Sequence, residues 1–194
     1  MTATGTDRRS AAGGTRLDVD AVVAAATELA DEDGWTELTL SRVAERVDRH
    51  VSSLYSHVDG LDDLRVRIAR RSVDQLADVV WAASVGRSGA DALLAIATAE
   101  RDWARAHPGQ IAALRSMIGI DDAEYRRLGQ RLAVPIRTVL ASYGLDEDRT
   151  STAHSIFSAT VRGLVEPGVG DDATLESAVD LFVTALDSGA WPPA

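Results

Sequence analysis

Between His50 and Ser56 the chain sets an imidazole, a phenol and small hydroxyls, those of His50, Tyr55, Ser52 and Ser56, around a single leucine, Leu54. On a short helix Leu54 points inward, and His50, Val51, Ser52, Tyr55 and Ser56 share the outer face. Such a face is poor material for a core. It suits the major groove of DNA, where short polar side chains let the backbone come close to base edges. Catalysis has no comparable nucleus. There is no Cys, which excludes disulfides, thiolate zinc sites and a Cys nucleophile. No nucleophile–base pair, metal cluster or Gly-rich phosphate loop is found, and His107 and His154 lack metal-ligand spacing with any acid. No catalytic residue, metal or cofactor is therefore expected.

The elements that position these residues read as helices throughout. Asp18 is an N-cap for a helix whose apolar positions, Val19, Val22, Val23, Ala26, Leu29 and Ala30, recur at helical spacing up to Asp33-Gly34. Thr39 caps a short helix from Leu40 to Val47, with Leu40, Val43, Ala44 and Val47 inward. After the break at Asp48-Arg49-His50 a second short helix runs from Val51 to His57. A long helix then runs from Leu61 to about Ala82. Two short helices joined by a tight turn, with small Ala44 at their crossing, are helix-turn-helix geometry. Beyond a linker at Val85–Gly89, helices are expected over Asp91–Ala106, Gln110–Met117, Asp121–Tyr143, Asp146–Val165 and Ala173–Leu186. His107-Pro108-Gly109 and Pro167-Gly168 act as stops, and Pro135 should kink its helix. The acidic groups Asp121-Asp122, Asp146-Glu147-Asp148 and Asp171-Asp172 read as helix starts. No strand-period alternation is seen, so the fold class is all-α.

The segments Leu38-Thr39-Leu40-Ser41-Arg42-Val43-Ala44 and Ser53-Leu54-Tyr55-Ser56-His57-Val58, with Leu64 after them, resemble the tetracycline-repressor-like (TetR) family of transcription regulators. The resemblance is strong over about residues 17–82. Ala106-His107-Pro108-Gly109 and Val161-Arg162-Gly163-Leu164 look like landmarks of one branch of the family's ligand domain. It implies phosphate contacts for Thr39, Tyr55 and His57, and positions near base edges for Ser41, Val51, Ser52 and Ser53. His50 opens the recognition helix and Ser56 lies on its outer face. Two departures stand out. Asp48 occupies the place of a left-handed glycine, a conformation Asp tolerates. Leu61 replaces a phosphate-binding Lys, leaving Arg42, Arg49 or Arg65 to supply the charge, unless Leu61 is packed inward.

Charge looks at first unfavourable to nucleic acid. The chain's 194 residues carry 20 basic and 30 acidic side chains, a formal net charge of −10, and every basic one is Arg. DNA binding depends on a local patch, not on the total. Residues 1–71 hold 10 Arg against 13 acids, the less acidic part, though not a basic domain. Arg8, Arg9 and Arg16 lie in a polar tail that reads as solvated, with a minor-groove arm as the sharper alternative. Apolar residues make up 45%, enough for a core. No run is long enough to cross a membrane and no secretory signal opens the chain, so a cytoplasmic location is expected.

Trp81 of the connecting helix and Trp103, Tyr125 and Phe157 beyond it are candidates to line an apolar ligand pocket, with plain core packing as the blander reading. Arg162 either anchors an acidic ligand or pairs with Glu166 at i+4, the pair being slightly favoured. The last two helices present Ile156, Phe157, Val161, Leu164, Leu175, Val179, Phe182, Val183 and Leu186, more apolar surface than a monomer needs, and so form a candidate dimer interface.

The expected organisation is a tail (1–16), a helix-turn-helix domain (17–60), a connecting helix (61–82) and a ligand-binding and dimerisation domain (83–194). The expected function is a homodimeric repressor that binds a palindromic double-stranded DNA operator and is released by a small-molecule effector. A helical adaptor whose helix-turn-helix no longer binds DNA is the competing class.

Overall fold

A computed structural model describes residues 18–166 and 169–189. Residues 1–17, Pro167-Gly168 and 190–194, and with them the expected tail and the Pro167-Gly168 stop, lie outside the described residues. The described residues form nine α-helices and no strand: α1 (Val19–Asp33), α2 (Leu40–Arg46), α3 (Val51–Leu54), α4 (Leu61–Ser84), α5 (Gly89–Ala106), α6 (Pro108–Ser116), α7 (Ala123–Ala141), α8 (Glu147–Leu164) and α9 (Asp172–Asp187). No described helix is long and apolar enough to cross a membrane.

Local chemistry sets the helix starts. The side chains of Asp18, Thr39, Asp122, Asp146 and Asp171 each accept the backbone N–H three residues on, at 2.7–3.3 Å. Each satisfies a donor that the first turn leaves free. The acidic clusters are thus helix caps, as their sequence context indicates. Pro108 stands in the first turn of α6, where its missing N–H costs nothing.

Two apolar cores share α4. Its first half gives Leu64, Ile68 and Ala69 to a core with Val22, Ala26, Leu38, Val43, Leu54 and Val58. Its second half gives Leu76 and Val80 to a core with Leu93, Ile96, Trp103, Ile136, Phe157, Val161 and Val183. Helix α6 crosses the expected boundary, since its Ala113 and the following Met117 belong to the N-terminal core. Its close approach to α1 requires glycine at 109. A Cβ there would lie 2.0 Å from the Ala30 carbonyl oxygen.

Pro135 sits buried inside α7. Lacking an N–H, it leaves the Arg131 carbonyl four residues back without its helical partner. The Trp81 indole Nε1 donates to that carbonyl at 3.3 Å. Trp81 therefore seals a helix defect on the outside of the α4–α7 contact, with 42% of its surface exposed.

Candidate functional site

The helix-turn-helix is built on Leu54, which is fully buried. Its carbonyl accepts the backbone N–H groups of His57 and Val58 at 2.8 and 2.9 Å, which fixes the chain beyond α3. The expected seven-residue helix is shorter: α3 is helical over Val51–Leu54 and continues as a turn to His57. The turn before it is held by the Arg49 N–H to the Ala44 carbonyl, 2.9 Å. Asp48 there has φ 52°, the one non-glycine residue with positive φ among those described. This is the left-handed conformation its place in the turn demands.

The recognition surface divides into exposed and supporting residues. Ser41, His50, Ser52, Tyr55 and Ser56 are exposed, Tyr55 at 60%. Thr39 is exposed, and while its oxygen caps α2 its own hydroxyl proton remains available to donate. Val51 and Ser53 are half-buried, and Val51 packs on the N-terminal core rather than lying wholly on the outer face. His57 is half-buried at the rim.

The arginines sort differently from the sequence expectation. Arg42 is paired with Asp33 at 2.8 Å, and Arg46 with Glu32 at 2.5 Å; both tie α2 to α1. The Arg46 guanidinium holds the Glu32 carboxyl below the usual carboxylate range. Arg65 lies over the Trp35 ring at 5.6 Å from its centroid, and its Nε is buried without a partner. Arg49 is left as the exposed cation of the turn, its guanidinium bonded to the Asp48 carbonyl at 2.7 Å. Leu61 packs partly buried against the N-terminal core, the inward alternative.

The family and structural comparisons agree with this geometry. Residues 93–188 match the family model described as "Tetracyclin repressor-like, C-terminal domain". An HTH-type transcriptional regulator of Mycobacterium tuberculosis is 34% identical over 185 residues, covering 93% of this chain and 85% of that protein. The chain belongs to the TetR family of transcriptional regulators. Among solved structures, the regulator SCO7222, a TetR from Streptomyces coelicolor, superposes with TM-score 0.69 at 20% identity, over 89% of this chain and 98% of that one. BioQ from Mycobacterium smegmatis superposes with TM-score 0.66 at 18% identity, over 89% and 99%. BioQ has also been solved with its double-stranded DNA operator, and that structure matches with TM-score 0.67 at 17% identity, over the same shares.

The residues expected to line a ligand pocket do not converge as a set. Trp103 and Phe157 lie in the C-terminal core, 8% and 2% exposed. Tyr125 packs instead against the N-terminal core, its hydroxyl donating to the Leu114 carbonyl at 3.4 Å. Trp81 faces outward on the Pro135 defect, because that carbonyl offers its N–H a partner. Arg162 is exposed, its Nε donating to the Ser158 carbonyl at 3.3 Å. Glu166 pairs with Arg115 at 2.5 Å, in place of the Arg162 pair that sequence spacing favours.

One polar residue that sequence reading passed over stands on the inner face. Glu100 of α5 has Ile96, Ala97, Trp103 and Ala104 at i−4, i−3, i+3 and i+4, and all four are buried. Its own side chain, among these buried neighbours of α5, is half-buried. Burial pushes its carboxyl up to about 7, against a smaller downward pull from Arg162. Plotting Asp91–Ala106 as a helix would have found it, since it is the acid on the apolar side. A cavity of about 320 Å³ opens one turn further along, between Ala104, Ile111, Leu164 and Val165.

The expected dimer surface also needs revision. Phe157, Val161, Leu175, Val179, Val183 and Leu186 are spent on the chain's own core. What the last two helices expose is Leu181, 71%, and Ile156, 39%. Beside Leu181, between α8 and α9, runs an apolar groove of about 230 Å³, lined also by Thr160, Ala178, Phe182 and Ala185.

Proposed function

We propose that this regulator is a repressor that binds a palindromic double-stranded DNA operator as a homodimer, and that a small molecule entering the C-terminal domain releases it. The observation that carries the reading is the α3 surface. His50, Ser52, Tyr55 and Ser56 are exposed on a turn of helix clamped by a fully buried Leu54. Short hydroxyls and a phenol so presented can reach base edges and phosphates, and Arg49 adds a cation beside them. The operator-bound BioQ shares the fold.

The division of labour follows the two cores: residues 17–60 carry the recognition surface, 61–82 transmit, and 83–194 receive ligand and dimerise. Helix α4 feeds both cores, and α6 is locked onto α1 at Gly109. A ligand that shifts α6 or α4 by a small amount therefore moves the recognition helix as a rigid unit. Two recognition helices at the wrong separation cannot enter successive major grooves. The exposed Leu181 groove on α8 and α9 supports pairing of two copies there, and a cytoplasmic location goes with the function.

A gel shift with the DNA upstream of the protein's own gene tests this. Retention of that DNA, but not of scrambled DNA of equal length, is expected, with footprint half-sites about one helical turn or a multiple apart. Retention of neither, or of both equally, would favour an adaptor that has lost sequence recognition.

A further inference from the structure

Helix α6 has two opposite faces with different partners. On one, Gly109, Gln110 and Ala113 are buried, with Gly109 against the Ala30 carbonyl and Gln110 on Asp31, both of α1. On the other, Pro108, Ile111 and Arg115 recur at i, i+3 and i+7 and line the cavity of about 320 Å³. One helix thus stands between that cavity and the recognition domain. The cavity is amphipathic. Ile111, Leu164 of α8 and Val165 give it an apolar floor that rests on the C-terminal core. Its charged lining is Arg105, Arg115 and Glu166, two guanidiniums to one carboxylate. Arg115 pairs with Glu166 at 2.5 Å, and Arg105 with Asp172 of α9 at 2.9 Å. Asp172 is shared with the buried Arg101, at 3.2 Å, so Arg105 has only part of a counter-charge. Among the described residues no other carboxylate pairs with either guanidinium, and most of the five N–H donors on each are left for another acceptor.

We propose that this cavity takes an amphipathic organic anion, its carboxylate on the Arg115 guanidinium with Arg105 on the same rim, and its hydrocarbon on Ile111, Leu164 and Val165. The proposal rests on the reading of the C-terminal domain as a receptor and adds the place and the chemical class of the ligand. A planar guanidinium matches a carboxylate with two parallel N–H groups, and such charge-assisted bonds are the strong ones. An amine would face two guanidiniums with only Glu166, already engaged, in its favour. A neutral chain would gain the apolar floor and leave the guanidinium donors unused. A bound carboxylate competes with Glu166 for Arg115. Because Asp31 grips the opposite face of α6, a shift of Arg115 and its helix passes directly to α1.

The test uses the full-length protein and three probes on one alkyl chain, octanoate, octan-1-ol and octylamine, with binding read by calorimetry and no DNA present. Octanoate should bind about tenfold or more tighter than octan-1-ol. Arg115→Gln should bring the two together. Glu166→Gln removes the internal competitor, so octanoate should tighten while octan-1-ol stays unchanged. Circular dichroism checks that both variants are folded. Tighter binding of octylamine, equal binding of all three, no binding of any, a preference that survives Arg115→Gln, or octanoate weakened by Glu166→Gln would each overturn the proposal. Release of DNA is measured separately. Octanoate that binds through Arg115 without releasing the operator would leave this assignment standing and remove the release mechanism.

Discussion

His107 and Asp31 meet at 2.9 Å, Nδ1 to carboxylate, across 76 residues of sequence. The same Asp31 carboxylate accepts the Gln110 backbone N–H and its side-chain amide, each at 2.9 Å. One acid of α1 thus grips the first turn of α6, where carboxylates are favoured by the free N–H groups. This contact joins the recognition domain to the segment that follows α5, and several consequences can be measured.

Asp31→Ala strips Gln110, 3% exposed, of the acceptor for its backbone N–H and leaves its side-chain amide only the His107 ring nitrogen at 3.0 Å. A loss of about 1–3 kcal/mol in urea unfolding is expected, the cost of a stranded buried amide. The variant should also need more effector to release DNA, because α6 no longer drags α1. Unchanged release with unchanged stability would show that the Asp31 clasp is ornamental.

Gly109→Ala should be worse than its size suggests. The added methyl would meet backbone, the Ala30 carbonyl, at 2.0 Å. Backbone cannot rotate aside, so α1 and α6 must separate, at a cost of about 1–3 kcal/mol or more. A melting temperature equal to wild type would contradict the close approach.

Leu61→Lys distinguishes packing from a lost DNA contact. Leu61 is partly buried on the N-terminal core, so Lys should lower the melting temperature and leave the salt dependence of DNA binding unchanged. A salt slope steeper by about one ion per subunit would mean that residue 61 faces the phosphate backbone after all.

Glu100 gives the stability a pH dependence with a definite sign. Its carboxyl ionises near its ordinary value of 4.5 when unfolded and at about 7 when folded. The folded state therefore favours the protonated form. That advantage is complete below pH 4.5, is lost as pH rises to about 7, and does not return above it. The loss is on the order of 3 kcal/mol at most, less if water reaches the group. Urea unfolding from pH 5 to 8 should show wild type falling relative to Glu100→Gln. Parallel curves would place Glu100 in water.

Much of the fold is legible in the sequence because its signals are local. The caps Asp18, Thr39, Asp122, Asp146 and Asp171 act three residues away, within any reading window. The inward Leu54 and the left-handed Asp48 are legible for the same reason. What is not legible depends on distant partners. His107 reads as a plain helix end because Asp31 lies 76 residues earlier. Trp81 resembles a pocket aromatic because nothing in α4 announces the carbonyl that Pro135 strands on α7. Arg42 looks free for phosphate because Asp33 comes close only once α1 and α2 cross. Phe182 looks like interface; it lines the α8–α9 groove, but its ring also packs on Phe157 at 5.4 Å. Leu181→Arg, not Phe182→Arg, is therefore the substitution expected to give monomers in light scattering without a loss of melting temperature.

The most direct measurement of the central claim is fluorescence anisotropy of labelled upstream DNA titrated with wild type, Tyr55→Phe and Ser52→Ala at several salt concentrations. Wild type should bind its operator as two protomers per duplex, with affinity falling steeply as salt rises. Tyr55→Phe should weaken operator and variant duplexes alike, whereas Ser52→Ala should change the preference among them by roughly 1–3 kcal/mol. Binding that is indifferent to both substitutions and to duplex sequence would contradict the assignment of α3 as the recognition helix.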